Sequence, residues 1–255
     1  MSMKLEKQGA VLWMTIDRAP VRNALDLETL EGLREGLDRL DSDPELRLGV
    51  LTGAGDRIFC SGADLAAIAG SGLSPAEAMH QYARVLGRIL SCRRPVIARL
   101  GGHVLGGGVG LLLACDLAVA AESVQISLPE AAVGMWPMMV GALLLRDLPR
   151  KQALELALTG RKLSAGEAMG LGLVNRVVPA GELDAQVAVL ADAVMKMSPS
   201  ALRLGRAAWQ KSLGQSPEQA LVDLAAALGE LATTEDAAEG MMAFFEKRTP
   251  QWKDR

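Results

Sequence analysis

Residues 101–116 read GGHVLGGGVGLLLACD, six glycines within ten positions that run directly into leucines. The tail LLLAC carries no charge on any face, so it predicts a buried helix starting near Gly107 or Gly108. Just upstream, PVIARL (95–100) predicts a strand, which makes the glycines the passage from strand to helix. Two nucleotide readings fail here. No Gly-Lys-Ser/Thr follows the run, as a P-loop requires, and GGGVGLL lacks the G-x-G-x-x-G spacing of a dinucleotide site. A backbone site remains: the first amides of the helix have no internal partner, and the helix dipole favours negative charge above them. Glycine removes the side chains that would block the approach. Close packing of the helix on a sheet would use the same glycines, and spacing does not choose between the two.

On either side of this stretch, strands alternate with helices. AVLWMTID (10–17), LRLGVLTG (46–53), DLAVAA and VQISL predict strands. Leu27, Leu30, Leu33, Leu37 and Leu40 share one helical face behind Asp26, a suitable N-cap, and a second helix is expected over 75–91. GAGDRIFCSGADL breaks any regular period, and AAVGMWPMMVG reads as a loop with short helical turns. Beyond residue 148, helices are expected at 148–158, 164–170, 180–197, 199–213, 217–229 and 234–247, interrupted by one strand in GLVNRVV. The pattern predicts an α/β core followed by a helical region that packs on it or on a neighbour. Trp209, Trp252, Met241, Met242, Phe244 and Phe245 in that region suit either interface anchors or core.

The bulk properties narrow the function classes. A chain of 255 residues that is half apolar can bury a large core. Its 27 basic and 30 acidic residues leave a net charge of −3 without a charged tail, so neither nucleic acid nor a membrane surface is expected as partner. The amino terminus shows no apolar signal region, and a cytoplasmic location follows as the expectation. Cys60, Cys92 and Cys115 lie in apolar surroundings and read as core residues.

The chemistry-bearing residues are few. FCSGADL (59–65) follows one strand and precedes a helix, so the amides around Gly62, Ala63 and Asp64 also stand at a helix start. Two amides from separate loops can form an oxyanion hole if they converge on one oxygen. Serine-nucleophile chemistry lacks G-x-S-x-G, and metal chemistry lacks H-E-x-x-H or any compact set of ligands. The two histidines, His80 and His103, offer no triad, and His103 fits a loop-packing role best. Glu130 in SLPEAAVG (127–134) sits in an apolar loop, where burial would raise its pKa toward the range of a proton shuttle. Met135, Trp136, Met138 and Met139 form an apolar cluster that suits either a pocket lining or the core.

Taken together, LTGAGDRIFCSGADL, GGHVLGGGVGLLLACDLAVAA, ISLPEAAVG, LTGRKLSAGEAMGLGLVNRVVP and EGMMAFFEKRTPQW resemble the crotonase, or enoyl-CoA hydratase/isomerase, superfamily, over residues 3–253. The resemblance implies a crotonase-like spiral of ββα units over 1–195 and a C-terminal helical region over 196–255 that builds a homotrimer or a hexamer of two trimers. It also implies an acyl-CoA thioester held by the amides of Ala63 and Gly107, with coenzyme A as part of the substrate and no prosthetic group. CoA contacts would come from Arg22, Ala24 and Leu25 in one loop, Ser61, Gly62, Asp64 and Leu65 in another, and Gly106 and Gly110 in the glycine run. Phe244 and Lys247 match positions that reach the CoA of an adjacent subunit.

Hydratases of this family usually carry two glutamates. The second matches Glu130, whereas the first position is Gly110. One carboxylate can still move a proton from C2 to C4, so the resemblance implies Δ3/Δ2 double-bond isomerisation first and hydration of 2-enoyl-CoA second. Another acyl-CoA enolate reaction, or a catalytically weak acyl-CoA binding protein, ranks lower. Asp64 and Glu77 are the local candidates to replace the missing acid, although a cap and a solvent-facing helix position explain them as well.

Overall fold

A computed structural model of the chain describes residues 2–255. Its centre is a six-stranded sheet in the order β1 (Met3–Gln8), β2 (Val11–Ile16), β3 (Leu48–Gly53), β5 (Val96–Leu100), β7 (Leu117–Ala121) and β10 (Arg176–Val178). The β1–β2 pair is antiparallel and the others are parallel. A second sheet runs β4 (Ile58–Cys60), β6 (His103–Leu105), β8 (Gln125–Ser127) and β9 (Leu163–Ser164). After β1 and β2, which share the larger sheet, the next two units each place one strand in either sheet before their helices. Thus β3 and β4 lead to α2 (Leu65–Ala69) and α3 (Pro75–Leu90), and β5 and β6 lead to α4 (Gly107–Ala114). This is the crotonase-like α/β spiral of ββα units.

The strands form where the apolar runs predict them. All six residues of β3 are buried, as expected of a parallel strand covered on both faces. Asp26 caps α1 (Leu27–Ser42) by accepting the Thr29 N–H, and Leu30, Leu33, Leu37 and Leu40 are its buried face. From Gly108 to Ala114 every residue of α4 is buried, which explains a helix with no polar stripe.

Three features differ from the sequence reading. Strand β1 escapes it because β1 is an edge strand that turns only Met3 and Leu5 inward and ends in exposed polar residues. Strand β6 lies inside the glycine run, so the passage from β5 to α4 is not a bare turn. The segment read as a loop before residue 148 contains α5 (Met138–Asp147), whose buried face is Val140, Leu143 and Leu144. Pro137 stands at its N-cap, where a missing N–H costs no helix bond.

The chain continues through α6 (Arg150–Thr159), α7 (Ala165–Gly170) and α8 (Leu183–Met195), and Leu183, Val187 and Ala191 of α8 are buried. The last helices are α9 (Pro199–Ser212), α10 (Pro217–Ala232) and α11 (Glu235–Glu246). Arg206 of α9 ties them to the core through a two-pronged pair with Asp116, both bonds 2.7 Å long. No residue of α10 is buried, and Trp209, Leu221, Val222, Met241, Met242, Phe244 and Phe245 are all more than half exposed. Those side chains are not core of this chain. None of its described helices is long and apolar enough to cross a membrane.

Candidate active site

The two loops singled out by the sequence meet. Gly62 adopts φ +91°, and a Cβ built on it would stand 2.8 Å from the amide nitrogen of Gly107, so the loop before α2 lies directly against the start of α4. Only glycine allows both that conformation and that approach. The loop is pinned from its other side, where Leu25 donates to Gly62 O and accepts from Asp64 N–H. Between these bonds, the Ala63 N–H donates to no described group, and neither does the Gly107 N–H at the first turn of α4. Two free helix-start amides from separate ββα units therefore border one place.

Glu130 faces the same place. It opens a 3-10 turn (Glu130–Val133) after Pro129, and its Oε1 lies 3.3 Å from where a Cβ on Gly106 would be. Gly106 has φ +52° and, lacking a side chain, leaves the carboxylate room. The buried Oε2 has no hydrogen-bond partner among the described residues. Burial pushes the Glu130 carboxyl above its ordinary value, only partly offset by its own backbone N–H. A half-buried, unpaired carboxylate beside two unpaired amides can remove a proton from, or return it to, a carbon whose neighbouring carbonyl the amides hold.

Sequence reasoning missed Tyr82. It projects from α3, is 7% exposed, and donates its hydroxyl to Gly107 O at 2.5 Å. A Cβ on Gly110 would overlap that hydroxyl and approach Val140 Cγ2 to 3.2 Å. Gly110 is therefore covered by Tyr82 and does not reach the cavity. A signal was present: this is the chain's single tyrosine, set on the apolar face of α3 with Ala78, Val85, Leu86 and Ile89, where a phenol needs a partner for its hydroxyl.

These groups line a cavity of about 230 Å³. Leu25, Ser61, Gly62, Ala63, Leu65, Gly106, Gly107 and Glu130 border it, and so do Met135, Trp136, Met138 and Met139. Arg22 instead lines a neighbouring cleft with His103, Arg57 and Ser123. Ala24 is buried beside that loop, and Phe244 and Lys247 stand on and just after α11, apart from this cavity of their own chain. Both proposed substitutes for the missing acid are engaged elsewhere. Asp64 accepts from Ala67 N–H and pairs with Arg18 at 3.0 Å, and these bonds hold its carboxyl below its ordinary value. Glu77 forms a capping box with Ser74.

The remaining polar candidates are structural. His103, expected in a loop, opens β6, and its Nδ1 accepts the Gln125 N–H at 3.1 Å, a bond between β6 and β8. Cys60 and Cys92 are buried free thiols pushed up to about 12 by burial, so neither is a thiolate nucleophile. No group of three or more His, Cys, Asp or Glu among the described residues could hold a metal ion.

Comparison with known proteins places the chain in a family. The family model for enoyl-CoA hydratase/isomerase matches residues 6–255. A carnitinyl-CoA dehydratase of Proteus mirabilis is 36% identical, with 100% of this chain and 99% of the relative covered. The crystal structure of an enoyl-CoA hydratase from Bacillus anthracis superposes with a TM-score of 0.93 at 33% identity and covers both chains fully. That of an enoyl-CoA hydratase from Mycobacterium smegmatis gives 0.93 at 30% identity over 99% of each chain. Matched over nearly its whole length by the family model and by these relatives, the chain belongs to the enoyl-CoA hydratase/isomerase family of enzymes, which act on acyl-CoA thioesters.

Proposed function

We propose that the protein adds water across the C2–C3 double bond of a 2-enoyl-CoA and removes it from the corresponding 3-hydroxyacyl-CoA. The observation that carries this reading is the unpaired Glu130 carboxylate set against the free amides of Ala63 and Gly107. Those amides hold the thioester oxygen as negative charge develops on it. Water bonds to C3 through its oxygen, Glu130 takes one water proton, and the same proton is delivered to C2. The names of the similar proteins, a dehydratase and hydratases, support water chemistry over the isomerisation that Gly110 suggested.

Isomerisation of 3-enoyl-CoA stands as the second reading, favoured by one observation. Glu130 is the single carboxylate among the described residues lining the cavity, and one carboxylate suffices to carry a proton between C2 and C4. Incubation with 2-enoyl-, 3-enoyl- and 3-hydroxyacyl-CoA, followed by ultraviolet absorbance and mass spectrometry, separates the two. Gain and loss of water is the expected result. Conversion of 3-enoyl-CoA without water addition to 2-enoyl-CoA would overturn it in favour of isomerisation.

Arg22, Ala24, Leu25, Ser61, Asp64 and Leu65 border the proposed CoA path. Residues 196–255 form the proposed association unit: their exposed apolar side chains need a cover, and a trimer or a pair of trimers supplies it. In that assembly Phe244 and Lys247 reach the CoA of an adjacent subunit, lysine serving as a mobile charge for a phosphate.

A further inference from the structure

The Tyr82 hydroxyl has one proton, and Gly107 O takes it. The phenol oxygen keeps lone pairs that no described donor uses, and Tyr82 borders the cavity. Around it the wall is apolar, with Ala78, Met79 and Val140. Burial, reinforced by the negative charges that Cys60 and Glu130 carry when ionised, keeps the phenol protonated, so it cannot serve as a base near neutrality. The oxygen is thus a fixed acceptor, standing where a side chain on Gly110 would begin.

We propose that Tyr82 seats the oxygen at C3, either the 3-hydroxyl of a 3-hydroxyacyl-CoA or the water that becomes it, by accepting a hydrogen bond from it. It thereby does from α3 the holding that a carboxylate at position 110 would do from α4. The proposal rests on Glu130 as the proton shuttle. In dehydration Glu130 takes the C2 proton, C2=C3 forms, the C3–O bond breaks, and the departing oxygen leaves as water with the proton from Glu130. Tyr82 exchanges no proton. It prefers substrates that place a hydroxyl or water against it, since a C–H group there leaves its lone pairs unused.

Tyr82→Phe tests this, because the ring still fills the space over Gly110. Two rates are measured: water addition to a 2-enoyl-CoA, and exchange of the C2 hydrogens of a saturated acyl-CoA of equal length in deuterium oxide. The second needs the amides and Glu130 but no oxygen at C3. Water addition should fall roughly 10- to 100-fold through lost positioning, while exchange stays within about twofold. Unchanged water addition overturns the proposal. An equal fall in both rates also overturns it, since Tyr82 then only holds Gly107 in place. A wild-type enzyme that hydrates without exchanging C2 hydrogens would instead refute the shuttle reading of Glu130. Binding in a Glu130→Gln background gives a second measure. A preference of about 2- to 10-fold for 3-hydroxyacyl-CoA over acyl-CoA, the worth of one hydrogen bond, should vanish with Tyr82→Phe, and its persistence would refute the seat.

Discussion

Gly62→Ala is the sharpest perturbation of the amide pair. An alanine at φ +91° carries a conformational cost of about 1–2 kcal/mol. The new methyl would also stand 2.8 Å from the Gly107 nitrogen, a backbone atom that cannot rotate away. Relief requires the loop before α2 and the start of α4 to separate by a few tenths of an ångström, which adds roughly 1–3 kcal/mol. That is tolerable for a domain stable by about 5–15 kcal/mol, so the variant should fold. The catalytic effect should be larger, because the separation moves a donor away from the thioester oxygen, and loss of one such donor lowers kcat by roughly 10²–10³. Gly72→Ala supplies the control. Gly72 has φ +78° with no atom within 4 Å of an added Cβ, so it incurs the conformational cost without the collision. Urea unfolding and kcat for water addition would be measured on both. We expect about 1–2 kcal/mol and unchanged kcat for Gly72→Ala. A Gly62→Ala enzyme with kcat within twofold of wild type would refute the assignment of Gly107 to the oxyanion site.

Glu130→Gln should abolish most turnover, by roughly 10²–10⁴-fold, while acyl-CoA binding measured by calorimetry survives; unaltered turnover would remove Glu130 from the mechanism. Burial raises the Glu130 pKa in the folded state, so its contribution to stability is present below the unfolded value and lost as pH rises through the folded one. Glu130→Gln should therefore raise Tm at neutral pH, with the gain shrinking toward pH 4, and a gain that grows on acidification would contradict the sign. Gly110→Ala forces a methyl into the Tyr82 hydroxyl and should destabilise by about 1–3 kcal/mol. Tyr82→Phe should relieve part of this in a double-mutant cycle on urea unfolding, and strict additivity would show that the two positions do not compete for space.

The sequence alone was enough for the family resemblance, a helix start near Gly107 or Gly108, the second loop at Gly62 and Ala63, and Glu130 as an acid in apolar surroundings. The resemblance rests on five stretches taken together, and the other three are local patterns: a break in periodicity, a glycine cluster ahead of leucines, a lone charge among apolar neighbours. Strand β1 and helix α5 were hidden because their local patterns are short: β1 turns only Met3 and Leu5 inward, and α5 buries only Val140, Leu143 and Leu144.

Tertiary packing decided what stands over Gly110. The sequence shows a glycine where a relative would carry its first acid, and from that alone the site looks stripped of half its polar groups. Residues 82 and 110 lie on different helices, and no spacing rule brings them together. Only the packing of α3 on α4 puts the Tyr82 hydroxyl over Gly110, and only the capping and ion-pair geometry shows that Asp64 and Glu77 are already committed. The convergence of the Gly62 loop on Gly107 belongs to the same class. It depends on strands from successive ββα units lying side by side, a property of the sheet that neither loop encodes by itself.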